Sequence, residues 1–170
     1  MGNDTTLQDD DHLSLAIGAG EAWEFEAFIL CTGASSTPDI RFAFRAPEGA
    51  TLHWVSEFQE GTAIVHNALV TVSGTSVTNA ITAGSTDVIR VRGIVTNAAT
   101  PGVLQFQWSQ NSPDDAPTRV LPNSFLMASR FEGVDAQGQA GLDLPDGPVS
   151  EVPAQPAPAP VHTADAGGFQ

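Results

Sequence analysis

Strict alternation between apolar and polar residues recurs in short stretches along the chain, which is the pattern of a half-buried β-strand. The clearest example occupies residues 23–31, where every second residue from the tryptophan to the cysteine is apolar. The opposite face starts with Glu24 and Glu26 and becomes apolar at Phe28 and Leu30. This change predicts a strand that runs from an open sheet face into a buried region.

Similar alternation marks further segments, separated by Gly, Pro, Asn and Asp residues that favour turns. The predicted strands are residues 13–17, 40–46, 51–58, 62–72, 87–97, 102–110 and 120–130. Residues 73–84 are less regular, with Val77 and Ile81 as anchors, and residues 111–117 predict a rigid hairpin loop. No segment sustains a helical period. The pattern predicts an all-β fold, an antiparallel β-sandwich or jelly roll with extended N- and C-terminal arms.

Charged residues occupy the outward positions of several predicted strands. Arg41 and Arg45 alternate with apolar residues in the segment 40–46. We expect Glu24 and Glu26 to pair with these arginines across neighbouring strands, each pair contributing about 0.2–1 kcal/mol. Pairs of this strength bias the strand register more than they stabilise the fold.

The composition fits one folded domain with a different segment at each end. The chain has 170 residues and no lysine, and this length allows one domain with a sizeable core. We divide it into an N-terminal arm at residues 1–12, a β-sandwich domain at residues 13–131 and an acidic, Pro/Ala-rich extended tail at residues 132–170.

The tail differs in kind from the domain. It contains half of the chain's 12 prolines and no arginine. Alternating Pro-Ala favours polyproline II, and such a segment alone buries too little apolar surface to offset its ordering entropy. If the tail is ordered, a neighbouring subunit is the simplest partner to hold it. The predicted interface residues are Pro153, Pro156, Pro158, Pro160 and Phe169.

The formal charge of −14 arises from 20 acidic and 6 basic residues. A field of this sign repels nucleic acid and anionic lipid surfaces, so we expect neither as a partner. The first residues lack the basic and apolar regions of a signal peptide, and no apolar run approaches the roughly 18 residues of a membrane span. We expect synthesis in a cytoplasm and a chain that stays soluble.

Candidate reactive residues are few. Residues 9–12 (Asp-Asp-Asp-His) offer oxygen ligands for Ca²⁺ or Mg²⁺, but their spacing is not that of an ion-binding loop and favours a solvated acidic arm. His53, His66 and His162 show no zinc-type spacing, and Cys31 is expected to be a small buried residue. No nucleophile motif or phosphate-binding loop occurs. We predict no enzymatic activity, no cofactor and no metal.

Three tryptophans allow two interpretations. Trp23, Trp54 and Trp108 could form a platform for stacking sugars. Trp23 and Trp108 lie in phase with the apolar residues of their own strands, which favours core packing for both. Trp54 is also interpreted as a core residue, on weaker grounds.

Several segments together resemble a β-sandwich module found in virion proteins of tailed bacteriophages. The segments that carry the resemblance are residues 5–13, 23–54, 88–93 and 104–130. In such modules a strand ending Gln-Trp-x-Gln-Asn is followed by a Ser/Asp/Thr loop and then by Val-Leu-x-x-Ser-x-Leu. The matching positions are Trp108, Gln110, Asn111, Val120, Leu121, Ser124 and Leu126. The resemblance spans about residues 4–131, and departs from the usual form at Pro113, at Pro117 and in the tail.

The resemblance implies a non-enzymatic structural protein that acts in the virion after synthesis in the host cytoplasm. Capsid decoration or a head fibre is the favoured role, and such modules also occur in tail fibres and in minor tail proteins. The implied partners are the chain itself, as a homotrimer, and other virion proteins such as a major capsid protein. Oligomers of this kind cover sheet edges. By analogy with the module, Leu126 and Ala128 point inward on a final strand at residues 124–130.

Two other functions stay open. A tail or fibre module that binds host-surface glycan would need an exposed aromatic near carboxylates, with Trp54 as the best candidate. A glycan hydrolase would need a cleft that holds two carboxylates at catalytic separation.

Overall fold

The computed structural model describes residues 2–60 and 62–131 of the chain. In this part every regular element is a strand, which confirms the all-β prediction. The strands are β1 (Gln8–Ile17), β2 (Ala22–Gly33), β3 (Ile40–Arg45), β4 (Thr51–Glu60), β5 (Ala63–His66), β6 (Val77–Asn79), β7 (Asp87–Thr96), β8 (Gly102–Gln110), β9 (Thr118–Val120) and β10 (Phe125–Arg130).

Two antiparallel sheets pack face to face as a β-sandwich. The first has the order β1-β8-β3-β6, and the second has the order β10-β2-β7-β4-β5, with β9 also paired to β2. The first eight strands pair as β1–β8, β2–β7, β3–β6 and β4–β5, like one long antiparallel ribbon folded over on itself. This is the strand order of a jelly roll. Strands β9 and β10 extend the second sheet beyond β2.

An aromatic cluster joins the two sheets at the centre of the core. The ring of Phe44 on β3 lies 5.1 Å from Phe25, 5.5 Å from Trp54 and 5.3 Å from Phe106, centroid to centroid. All four side chains are buried. Since Phe25 and Trp54 belong to the second sheet while Phe44 and Phe106 belong to the first, the cluster couples both layers.

The predicted strand faces are confirmed where the alternation is strict. Every second residue of β2 from Phe25 to Cys31 is buried, and so are Ile40, Phe42 and Phe44 on β3. On β10 Leu126 and Ala128 pack against the core, as the module resemblance implied. The alternation predicted these faces correctly because successive side chains of a strand point to opposite sides.

Strand ends differ from the predictions at the start and middle of the chain. Strand β1 begins at Gln8, so part of the predicted arm at residues 1–12 belongs to the first sheet. The predicted strand at residues 62–72 is shortened to β5. Beyond β5, the N–H of Asn67 donates to Ser56 at 2.9 Å, and Val70 forms two backbone hydrogen bonds of 3.0 and 2.9 Å with Trp54.

The loop at residues 111–117 is not a hairpin, contrary to the prediction. It leaves β8 in the first sheet and enters β9 in the second, because β9 pairs with β2. The predicted strand at residues 120–130 is split into β9 and β10 by a turn in which Asn123 adopts a positive φ of 70°. An asparagine tolerates this left-handed conformation better than most residues.

Candidate binding surface

The outer face of the second sheet carries a row of side chains that crosses all five main strands. Cross-strand pairing places Phe125, Phe28, Arg90, Glu57 and His66 side by side, in that order. Residues directly opposite in an antiparallel pair share one face and lie within contact distance. The row lines an open groove of about 480 Å³, called here the outer groove, whose other lining residues include Glu26, Val55 and Arg92.

Two phenylalanines form the apolar part of the outer groove. The rings of Phe28 and Phe125 are stacked, with centroids 5.7 Å apart and an interplanar angle of 11°. The guanidinium carbon of Arg90 lies 5.7 Å from the centroid of Phe28, within the range of a cation–π contact. Phe28 therefore has a partner on each side, whereas Phe125 remains 45% exposed and offers apolar surface to a ligand.

Ion pairs hold the polar part of the same face in register. On β7, Arg92 contacts Glu26 at 2.8 Å and Glu24 at 3.6 Å. Arg90 lies 3.7 Å from Glu57, which is also 3.9 Å from the imidazole of His66. Each of these exposed pairs contributes at most about 1 kcal/mol. They fix the positions of the side chains around the groove more than they stabilise the domain.

The predicted pairing of Glu24 and Glu26 with Arg41 and Arg45 is wrong. Both arginines lie on β3 in the other sheet, because β2 and β3 are consecutive in sequence but belong to different layers. Arg41 donates to the carbonyl oxygen of Thr5, and Arg45 pairs with an aspartate of β1. The partner of the two glutamates is instead an arginine of β7.

The charges on this outer face are balanced in a chain that is strongly acidic overall. Among the described residues, its strand positions hold three arginines and three glutamates. They are Arg90, Arg92 and Arg119, and Glu24, Glu26 and Glu57. With a formal net charge of −14 for the whole chain, a face without net charge meets less repulsion from a second copy than the rest of the surface does.

The tryptophans do not form a platform. Trp54 is 1% exposed and packs among the core phenylalanines, so its assignment to the core is confirmed and it is unavailable to a sugar. Trp23 and Trp108 are half-buried against the core. Their indole nitrogens donate to Glu21 at 3.0 Å and to Asp10 at 3.2 Å, respectively.

The acidic run at residues 9–12 is part of β1, and two of its carboxylates have structural partners. One oxygen of Asp10 accepts the backbone N–H groups of His12 and Leu13, both at 3.0 Å, and the other accepts the indole N–H of Trp108. These bonds hold a bulge where the register between β1 and β8 shifts. Asp9 pairs with Arg45 at 2.8 Å. The expectation of a solvated arm is therefore corrected for these two residues.

Cys31, His53 and His66 lie on three different strands of the second sheet. Cys31 is buried, as predicted, and burial together with the negative charge of Asp87 raises the pKa of its thiol to about 12. A thiol with such a pKa is protonated at neutral pH and is a poor nucleophile. His53 and His66 are exposed on the second sheet, while His162 lies outside the described residues. Within residues 2–60 and 62–131, no group of three His, Cys, Asp or Glu side chains could hold a metal ion.

A carboxylate at the β1–β2 turn connects the ends of three strands. Glu21 accepts the backbone N–H of Gly18 at 2.6 Å, the guanidinium of Arg130 at 2.9 Å and the indole N–H of Trp23. These hydrogen bonds, that of Gly18 first, lower the pKa of the Glu21 carboxyl below its ordinary value of 4.5. The ion pair fixes the end of β10, the last strand before the tail.

Sequence reasoning did not find the outer groove. The change from glutamates to Phe28 and Leu30 on β2 was the available signal, and it predicted a buried region. In the structure Phe28 is half-buried beneath Phe125 and Arg90 instead. The predicted interface residues Pro153, Pro156, Pro158, Pro160 and Phe169 lie outside the described residues.

No helix within the described residues is long and apolar enough to cross a membrane. Comparison of the chain with protein-family models, with curated proteins and with solved structures found no match.

Proposed function

We propose that this chain is a non-enzymatic structural protein of a tailed-phage virion, in which it decorates the capsid or forms a head fibre. It associates with further copies of itself, as a homotrimer by the module resemblance, and an arm docks it on the shell. The major capsid protein is the proposed partner on the shell. No cofactor or metal enters the proposal.

One observation carries this proposal. The outer groove leaves Phe125 and Val55 exposed on a face where arginines and glutamates balance, in a chain of net charge −14. Exposed apolar surface rimmed by polar residues is typical of a protein–protein contact site. The jelly-roll strand order supports the same proposal, since this architecture recurs in viral capsid proteins, although a fold alone does not define a function.

The first experiment measures the oligomeric state of the full chain by light scattering and its co-sedimentation with purified capsids that lack it. We expect a closed oligomer that binds the capsids. Phe125→Asp should shift the chain towards monomer, because it places a charge in the groove.

The matched control for that variant is Val103→Asp. Val103 is 46% exposed, much like Phe125 at 45%, but it lies on the first sheet. The control should leave the oligomer intact. A stable monomer that does not sediment with capsids would contradict the proposal.

A second candidate function is recognition of a host-surface glycan by a tail or fibre module. Trp54 is excluded as the stacking residue by its burial. The observation that keeps this candidate is that Phe125 is 45% exposed in the outer groove, which Glu26 and Glu57 also line. Binding on a glycan array that Phe125→Ala abolishes would favour it, and an array without signal would remove it.

A further inference from the structure

We propose that the outer groove is the docking site for residues 152–164 of a neighbouring copy of this chain. The tail of each subunit would thus fasten it to the next. This inference rests on the proposed function in one respect, that copies of the chain associate. It goes further by assigning both the receiving surface and the segment that fills it.

The first argument is the chemistry of the outer groove. Its apolar part is the Phe28–Phe125 stack with Val55, and its polar part consists of ion pairs that are already satisfied within the sheet. A charged ligand would have to displace those pairs. An uncharged extended segment would not, and proline-rich segments dock on aromatic-lined grooves because little conformational entropy remains to be lost.

The second argument is that the tail contains one segment of this chemistry. Residues 152–164 read VPAQPAPAPVHTA, which includes four prolines and, with histidine neutral, no charged side chain. They lie between Glu151 and Asp165, and no other stretch of the tail of this length is uncharged. Four of the five predicted interface residues fall inside this segment.

The third argument is direction and reach. Strand β10 starts in the groove at Phe125 and runs about 17 Å away from it to Arg130, at about 3.4 Å per residue. There Arg130 is held by Glu21, and the N–H of Phe131 donates to Ala22 at 2.9 Å. Phe131 thus lies at the end of β10 that is farther from its own groove.

Length permits the tail to reach a neighbour. Residues 132–151 can span up to about 65 Å when extended, at about 3.3 Å per residue. This distance exceeds the width of a small β-sandwich, so residues 152–164 can arrive at the groove of an adjacent subunit.

The test is photo-crosslinking of the full chain. The variant Met127→p-benzoylphenylalanine places the probe beside the groove, since Met127 is exposed and paired with Glu26, and it leaves Phe125 intact. Equal amounts of unlabelled and ¹⁵N-labelled chains are mixed, dissociated, reassociated and irradiated. Mass spectrometry of the crosslinked peptides then shows whether both partners come from one chain or from two.

The expected result is crosslinks from position 127 to residues 152–164 with mixed isotope labels. The same probe at Val103 on the first sheet should give no such product, and Phe125→Ala in the Met127 variant should lower the yield at least fivefold. Replacing Pro153, Pro156, Pro158 and Pro160 together by alanine should do the same, while Pro145→Ala with Pro148→Ala should not.

The other outcomes overturn the inference. Crosslinks confined to one chain, crosslinks to the folded domain of a second copy, or an absence of crosslinks each exclude the docked neighbouring tail. Light scattering of the same samples separates the two proposals. An oligomer without the crosslink contradicts only this inference, whereas a monomer contradicts the proposed association as well.

Discussion

The two sheets share one core but differ in their outer faces. On the first sheet, central outward residues such as Ser109 and Ala43 are closed off, both 0% exposed, whereas Val103 near the start of β8 is 46% exposed. Gln105 donates to the carbonyl oxygen of Asp10 at 2.8 Å, and Arg41 donates to that of Thr5, so the start of the chain satisfies this face internally. The second sheet leaves its outward apolar residues open. They are Val55, Ile64, Ile94, Phe125 and Met127.

The difference shows how a sandwich acquires one binding side. Inward faces must be apolar on both sheets, because burial of apolar surface drives folding. Outward faces are free to diverge, and here one face forms hydrogen bonds within the chain while the other keeps exposed apolar surface between ion pairs. A partner therefore gains most by contacting the second sheet.

The largest expected effect tests whether the two sheets are one unit. Phe44→Ala removes the ring that joins Phe25 and Trp54 to Phe106, and should lower the free energy of unfolding by about 3–5 kcal/mol. Urea denaturation measures this loss. Met127→Ala, at an exposed site, should stay within about 0.5 kcal/mol of the parent. Separate transitions for the two sheets in hydrogen exchange would contradict a shared core.

The next largest expected loss of stability tests the hydrogen bonds that Asp10 of β1 accepts at the first sheet. Asp10→Ala removes the acceptor for His12, Leu13 and Trp108. Leaving these donors unsatisfied should cost about 1–3 kcal/mol in thermal or urea unfolding. Asp11→Ala is the control, since Asp11 is exposed. Equal losses for both variants would mean that the acidic run acts through charge alone.

A smaller expected effect tests the outer face of the second sheet, which carries the outer groove. The stacked rings of Phe28 and Phe125 should show a coupling energy of about 0.5–1.5 kcal/mol in a double-mutant cycle to alanine. The free energy of unfolding is measured for the parent, both single variants and the double variant. Strictly additive losses would show that the two rings do not stabilise each other, and so do not form a stable stack in the groove.

The smallest expected effect depends on pH. It concerns Glu21, which pairs with Arg130 at the end of β10, just before the tail. The pKa of Glu21 is lowered in the fold, so its stabilising contribution is complete above the ordinary value of 4.5 and is lost as the pH falls through the lowered pKa. The difference in Tm between the parent and Glu21→Gln should therefore be larger at about pH 7 than at about pH 3. Glu48→Gln, at an exposed turn, serves as the control. A difference that is constant across this range would contradict the role of the ionised carboxylate.

Much of the fold could be predicted from local pattern. The period of two placed Phe25, Ile29 and Cys31 on one face of β2, where all three are buried. The alternation failed to predict the start of β1, where polar residues join the sheet because their side chains are hydrogen-bonded within the chain. Asp10 is polar but belongs to a strand, because two N–H groups of the bulge and the indole of Trp108 donate to its carboxylate.

Strand partners could not be predicted in the same way. The expected partners of Glu24 and Glu26 were the arginines of the next strand along the sequence, but a jelly roll sends consecutive strands to opposite sheets. Arg92 meets both glutamates because β2 and β7 are the two arms of the folded ribbon. No local signal in either segment specifies that match.

By itself the sequence determined the all-β class, the inward faces of the strict strands and the acidic charge, because each depends on residue type or on a period of two. Only the tertiary structure decided that Phe125 lies on Phe28, that Arg90 crosses to Glu57, and that an open groove results. The physical reason is that side-chain direction is a property of one strand, whereas a surface is made by strands that lie far apart in sequence and meet only through pairing.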